Sequence, residues 1–145
     1  MTHTGSFDIT TPSEFLEKMI LPQYQEFLDN TASSRAALLC VIVAYHMYEW
    51  VNGPNQFIER EFMARYPTKA SVWEFFDLAN RLANSTKHFK NRIATRAQSG
   101  FSPAFSDDFV RPLCIIRDDG SEISADILIG TLVEFWRGAQ AGGLF

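Results

Sequence analysis

Cysteine is scarce in this chain: Cys40 lies in an apolar run, Cys114 in a stretch of β-branched residues, and there is no other. Both read as small core residues with reduced thiols, and no Cys-x-x-Cys pair is available for metal or redox work. Long apolar runs are missing as well. The longest, AALLCVIVAY, is about half of what a helix needs to cross a bilayer. The opening MTHTGSFDIT has neither a basic start nor an apolar stretch, so no secretory leader is expected. The chain therefore reads as cytoplasmic, without membrane contact. Positive charge is not in excess either, since the formal net charge is −4, which disfavours a protein that coats nucleic acid non-specifically. Gly-x-Ser-x-Gly, a phosphate-binding Gly-rich loop and His-Glu-x-x-His are all absent, which removes the signatures of several common enzyme classes. No internal repeat or low-complexity tract is visible.

What is present suits one folded unit. A chain of 145 residues with 46% hydrophobic and 21% charged content can bury a proper core. We read residues 1–145 as a single domain, with its core over about residues 12–138. Phenylalanine alone numbers 13. Rings in that quantity exceed what one small core needs, so a homodimer with an aromatic interface is expected. Charge is uneven along the chain. KHFKNRIATR carries Lys87, Lys90, Arg92 and Arg96 with no acid, a local anion site on an acidic protein.

Local signals predict a mainly α fold: a four- or five-helix bundle with one small C-terminal β-hairpin followed by a helix. Thr11-Pro12-Ser13-Glu14 is a capping box with proline at the first helical position, opening a helix over residues 12–28. Pro22 inside it should bend or split it. Ser33 or Ser34 caps a second helix to residue 52, apolar on nearly every side and so expected at the bundle centre. Gly53 and Pro54 end it, and a short third helix follows over residues 55–66. A fourth, capped by Thr68 or by Ser71 with Glu74, runs to His88. Residues 91–108 have no period and read as a mobile loop. Asp118-Asp119-Gly120 between β-branched runs signals a hairpin at about residues 111–124. A last helix is expected over residues 125–139.

The fourth helix carries an unusual row. Asp77, Arg81, Asn84 and His88 are spaced by four, three and four, which places them within roughly 60° of one helix face. Trp73 lies on the same side, and tryptophan seldom sits bare. On the second helix His46 and Glu49 share a face of a helix that reads as buried all round. A buried carboxylate needs a partner, and Arg81, Lys87 and His88 are the cations best placed to supply one. Glu49 is therefore expected within hydrogen-bonding reach of the fourth helix. A metal held by His46, Glu49, Asp77 and His88 lacks the paired Glu-x-x-His pattern of bundle metal sites, so neither a metal nor any other cofactor is expected.

The fourth helix resembles the motif helix of HEPN domains, small α-helical bundles marked by an Arg followed after four to six residues by a His. Six residues separate Arg81 from His88, and Leu82 stands where the family usually has a polar residue. The likeness extends to small bacterial HEPN-like proteins that combine His-x-x-Glu/Asp-Trp with a later Asp-x-Ala-Asn and Lys-His-Phe. Here those are His46-Met47-Tyr48-Glu49-Trp50, Asp77 to Asn80 and Lys87-His88-Phe89, with Phe135-Trp136 near the close. In active members the pair from each subunit meets across a homodimer. The His serves as base toward a ribose 2′-hydroxyl and the Arg steadies the phosphate, with no metal. The resemblance implies Arg81, Asn84 and His88 as catalytic candidates, with His46, Glu49, Asp77, Lys87, Lys90 and Arg92 binding RNA or nucleotide. Two functions compete. One is a non-catalytic module for dimerisation or partner binding; the other is a metal-independent ribonuclease of a toxin or phage-defence system.

Overall fold

Thr11 starts the first helix as its capping signal requires: its hydroxyl oxygen accepts from the Glu14 amide at 3.1 Å, and Pro12 follows at the first helical position. In the computed structural model, which describes residues 5–88, 93–97 and 112–145, α1 (Pro12–Phe15), a π-turn (Leu16–Ile20) and α2 (Leu21–Asp29) form one unbroken run. The Leu21 amide donates to the Leu16 carbonyl, one residue further back than in an α-helix. Pro22, next along, offers no amide hydrogen, and the wider turn absorbs it without ending the helix. The bend or split expected at Pro22 takes that form.

Ser33 caps α3 (Ser34–Asn52) by accepting from the Ala36 amide at 3.0 Å, and Gly53 closes it at φ 88°, a left-handed backbone that glycine adopts freely. The next helix is shorter than expected. Asn55 turns the chain at φ 60°, and α4 spans only Glu59–Arg65. Neither Thr68 nor Ser71 caps the helix after it. A 3₁₀ segment (Pro67–Val72) feeds directly into α5 (Trp73–Lys87), which has no side-chain cap.

Strands β1 (Ala94–Ala97), β2 (Leu113–Ile116) and β3 (Glu122–Ser124) form an antiparallel sheet in that order. The predicted hairpin is β2–β3. Its turn is closed by the Gly120 amide on the Arg117 carbonyl at 2.9 Å, with Gly120 at φ 85°. Strand β1 corrects the loop expected over residues 91–108, because residues 94–97 pair along β2. The remainder of that loop, residues 91, 92 and 98–108, lies outside the described residues. Ser124 leads into α6 (Ala125–Ala141).

α3 is the hub, packed by α1, α2, α5 and α6. Tyr48 sits in its inner face among rings from four other segments, with centroids at 5.2 Å from Phe57, 6.2 Å from Phe62, 5.8 Å from Phe76 and 6.4 Å from Trp136. Buried Trp136 ties α6 to α3 by donating from Nε1 to the Ala44 carbonyl at 2.9 Å. Both cysteines are buried thiols outside any disulfide, and burial pushes the Cys40 thiol up to about 12. Among the described residues no helix is long and apolar enough to cross a membrane.

Candidate functional site

The polar row of α5 is neither a bare solvated face nor a sealed network. Asp77, Arg81 and Asn84 are half-buried, and Lys87 and His88 are exposed at the C-terminal end. What covers the middle of the row is the β2–β3 turn. Arg81 grips Asp118 with both terminal nitrogens, Nη2 to Oδ1 at 2.9 Å and Nη1 to Oδ2 at 3.3 Å. Two helical turns earlier on the same face, Glu74 Oε1 stands 2.7 Å from Arg117 Nε, an ion pair whose N–H is poorly aimed at the oxygen. The turn is thus clamped to α5 by two pairs of opposite polarity. Asp119 stays within the turn, where the Ser121 hydroxyl and amide hold its carboxyl below the usual range.

Further along the row, Asn84 donates to the Asn80 side chain at 3.1 Å. Its amide is used within the helix. His88 is the C-cap residue, its own amide bonded to the Asn84 carbonyl at 3.0 Å, and its imidazole stands exposed. The six residues between Arg81 and His88 therefore leave the guanidinium engaged by the hairpin and the imidazole at the helix end. Lys90 and Arg92, expected to bind, lie outside the described residues.

The expected contact between Glu49 and α5 is not made. α3 and α5 do pack together, but Glu49 and His46 point to solvent. Glu49 has no hydrogen bond or ion pair among the described residues, and the His46 ring lies 5.7 Å from that of Tyr45, centroid to centroid. The error lay in reading α3 as buried all round. Its outer face is apolar in composition yet uncovered, so a carboxylate there stays hydrated and needs no cation. His46 and Glu49, with Trp50 and Pro54, instead line an open concavity of about 390 Å³. Trp73, on the same side as the polar row, stacks on Phe57 with centroids 4.7 Å apart and meets Phe62 at 5.5 Å. Trp73 is thus used inside the molecule, which takes away the one ring that pointed to an aromatic interface.

A second polar group crosses the sheet. The register sets Arg96, Cys114 and Ser124 side by side on neighbouring strands. Arg96 grips Glu122, with Nη2 to Oε2 at 2.8 Å and Nε to Oε1 at 3.2 Å, and also donates to Cys114 Sγ at 3.3 Å. The guanidinium holds the Glu122 carboxyl below its ordinary value. The Ser124 hydroxyl is buried without a hydrogen-bond partner among the described residues. Near this group a small cavity of about 100 Å³ lies between the sheet and α3, lined largely by Ala37, Leu38, Val41, Leu82 and Ile115. Reading the sequence missed Arg96 and Glu122 as a pair because β1 was not read as a strand. An Arg on β1 and a Glu on β3, reaching each other across β2, are a signal only once the pairing is known.

The fold and this row define a helical bundle with a small appended sheet. Compared with family models, curated proteins and solved structures, the chain matches none.

Proposed function

We propose that this chain is a non-catalytic HEPN-like helical module that works by contact, through self-association or a partner, and touches RNA or nucleotide beside the polar row. One observation carries the reading. A ribonuclease of the HEPN kind needs a cation free to meet charge growing on a phosphate. Arg81, the residue in that position, is occupied by Asp118 through both terminal nitrogens. A carboxylate so placed neutralises the guanidinium and competes with an incoming phosphate. The row then serves to hold the hairpin on α5.

The alternative, a metal-independent ribonuclease of a toxin or phage-defence system, has support in the exposure of His88 beside Lys87. An accessible imidazole can take a proton from a 2′-hydroxyl. The test is incubation of the purified chain with a mixed-sequence fluorogenic RNA in chelator, alongside Arg81→Ala and His88→Ala. We expect no cleavage by any of the three and a lowered melting temperature for Arg81→Ala alone. Cleavage by the wild-type chain that His88→Ala abolishes would overturn the reading.

A further inference from the structure

The uncovered face of α3 has a pattern of its own. Around the helix, Arg35, Leu39, Ile42, His46 and Glu49 fall on one side, opposite Ala37, Cys40, Val41, Ala44 and Tyr48, which face the core. Leu39 is 39% exposed, Ile42 is half-buried, and neither joins the core cluster. The two ends of the stripe bear opposite charges. Arg35 and Glu49 are exposed, and neither has an ion-pair partner among the described residues, although most other charged side chains on α5 and the sheet are paired. Each stands seven residues from Ile42. At about 1.5 Å per residue they lie roughly 10 Å to either side of it along the helix axis.

We propose that this face is a self-association surface, on which α3 of a second copy docks antiparallel about a two-fold axis at Ile42. The symmetry follows from the spacing. An antiparallel copy centred on residue 42 sets residue 35 against residue 49 of its partner, twice, while Ile42 meets itself and Leu39 meets Tyr45. A two-fold interface must be self-complementary, and a face with an apolar middle and opposite charges equidistant from it has that property. The open concavity beside Glu49 and Trp50 is where an incoming Arg35 arrives. A shallow crossing of about 20° keeps both charged ends within reach of each other. A parallel copy would set like charges together, so orientation is fixed by charge as well as by shape.

Size sets the strength. A stable dimer buries about 800 Å² on each partner, and one face of a 19-residue helix supplies less. The dimer is accordingly weak and reversible, forming at high micromolar concentration and loosened by salt. The inference rests on the contact-module reading and names its partner as a second copy.

Charge reversal tests it by sedimentation equilibrium, at low and high salt, with melting curves confirming that each variant folds. Arg35→Glu sets carboxylates against carboxylates and Glu49→Arg sets guanidinium against guanidinium, so each alone should self-associate at least about tenfold more weakly than wild type. Mixed in equal amounts, the two variants have complementary ends at both contacts and should form a heterodimer. The double variant Arg35→Glu/Glu49→Arg should recover self-association. A wild-type chain that stays monomeric at several hundred micromolar in low salt overturns the proposal, and so do folded single variants that associate as well as wild type or mix without pairing. RNA cleavage is a separate readout. A dimer that cleaves RNA would sink the contact-module reading and spare the interface, whereas an inactive monomer would do the reverse.

Discussion

Tyr48 carries its hydroxyl into the middle of the ring cluster, where the oxygen is buried and has no hydrogen-bond partner among the described residues. Burial raises its ionisation above the ordinary tyrosine value, with nearby Arg65 opposing it without a well-formed hydrogen bond. An unpaired buried hydroxyl carries a desolvation cost that a plain ring does not. Tyr48→Phe should therefore leave stability unchanged or raise it by up to about 1 kcal/mol, read from urea denaturation at neutral pH. The pH dependence gives a second check. A phenol whose folded value is raised contributes stability that is complete below about pH 10 and is lost as pH rises through the folded value. Tyr48→Phe should lose stability less steeply above that point than wild type does. A loss of more than about 1 kcal/mol at neutral pH would show that the hydroxyl is satisfied after all.

At the scale of elements, the β2–β3 hairpin is held to α5 by side chains of modest worth. Asp118 is 83% exposed, so its pair with Arg81 is largely solvated despite the two-point grip. Asp118→Ala should lower global stability by no more than about 1 kcal/mol. Its larger effect should be local: amide hydrogens of residues 113–124 should exchange faster while those of α3 keep their protection. Equal acceleration in both would refute a local clamp. The hairpin is also where the sequence was most readable, because Asp-Gly is a backbone demand that glycine alone meets cheaply. The caps at Thr11 and Ser33 were legible for the same reason, each being a short-range bond between a side chain and an amide three residues away. Strand β1 was not legible. Ala94, Thr95, Arg96 and Ala97 show no alternation of apolar and polar residues, and their place is set by long-range pairing with β2. The candidate row was legible as a spacing, but its partners Arg117 and Asp118 were not, since nothing local says which face of α5 the turn will meet. Glu49 was misplaced because composition cannot separate a helix buried on all sides from one with an apolar face left uncovered.

For the molecule as a whole, the contact that closes the bundle joins the last helix to the second long one. Trp136 on α6 is fully buried, meets Tyr48, Phe76 and Phe135, and bonds the Ala44 carbonyl of α3 across 92 positions of sequence. Helices α1 to α5 can gather from contacts between near neighbours, but the side of α3 that meets α6 stays open until this ring arrives. Trp136→Ala removes the indole from a site that cannot collapse around the gap, since its neighbours are rigid rings. The expected loss is about 3–5 kcal/mol, against a total of roughly 5–15 kcal/mol for a domain of this kind. That should lower the melting temperature by roughly 10 °C or more. Trp136→Phe keeps part of the ring packing and loses the hydrogen bond, so it should fall between the two. Scanning calorimetry and far-ultraviolet circular dichroism should report the same midpoint for each variant, because α6 and the rest of the bundle share one core. If Trp136→Ala melts within a few degrees of wild type, or if α6 unfolds separately and earlier than the rest, then the bundle does not depend on this contact and its core must be held elsewhere.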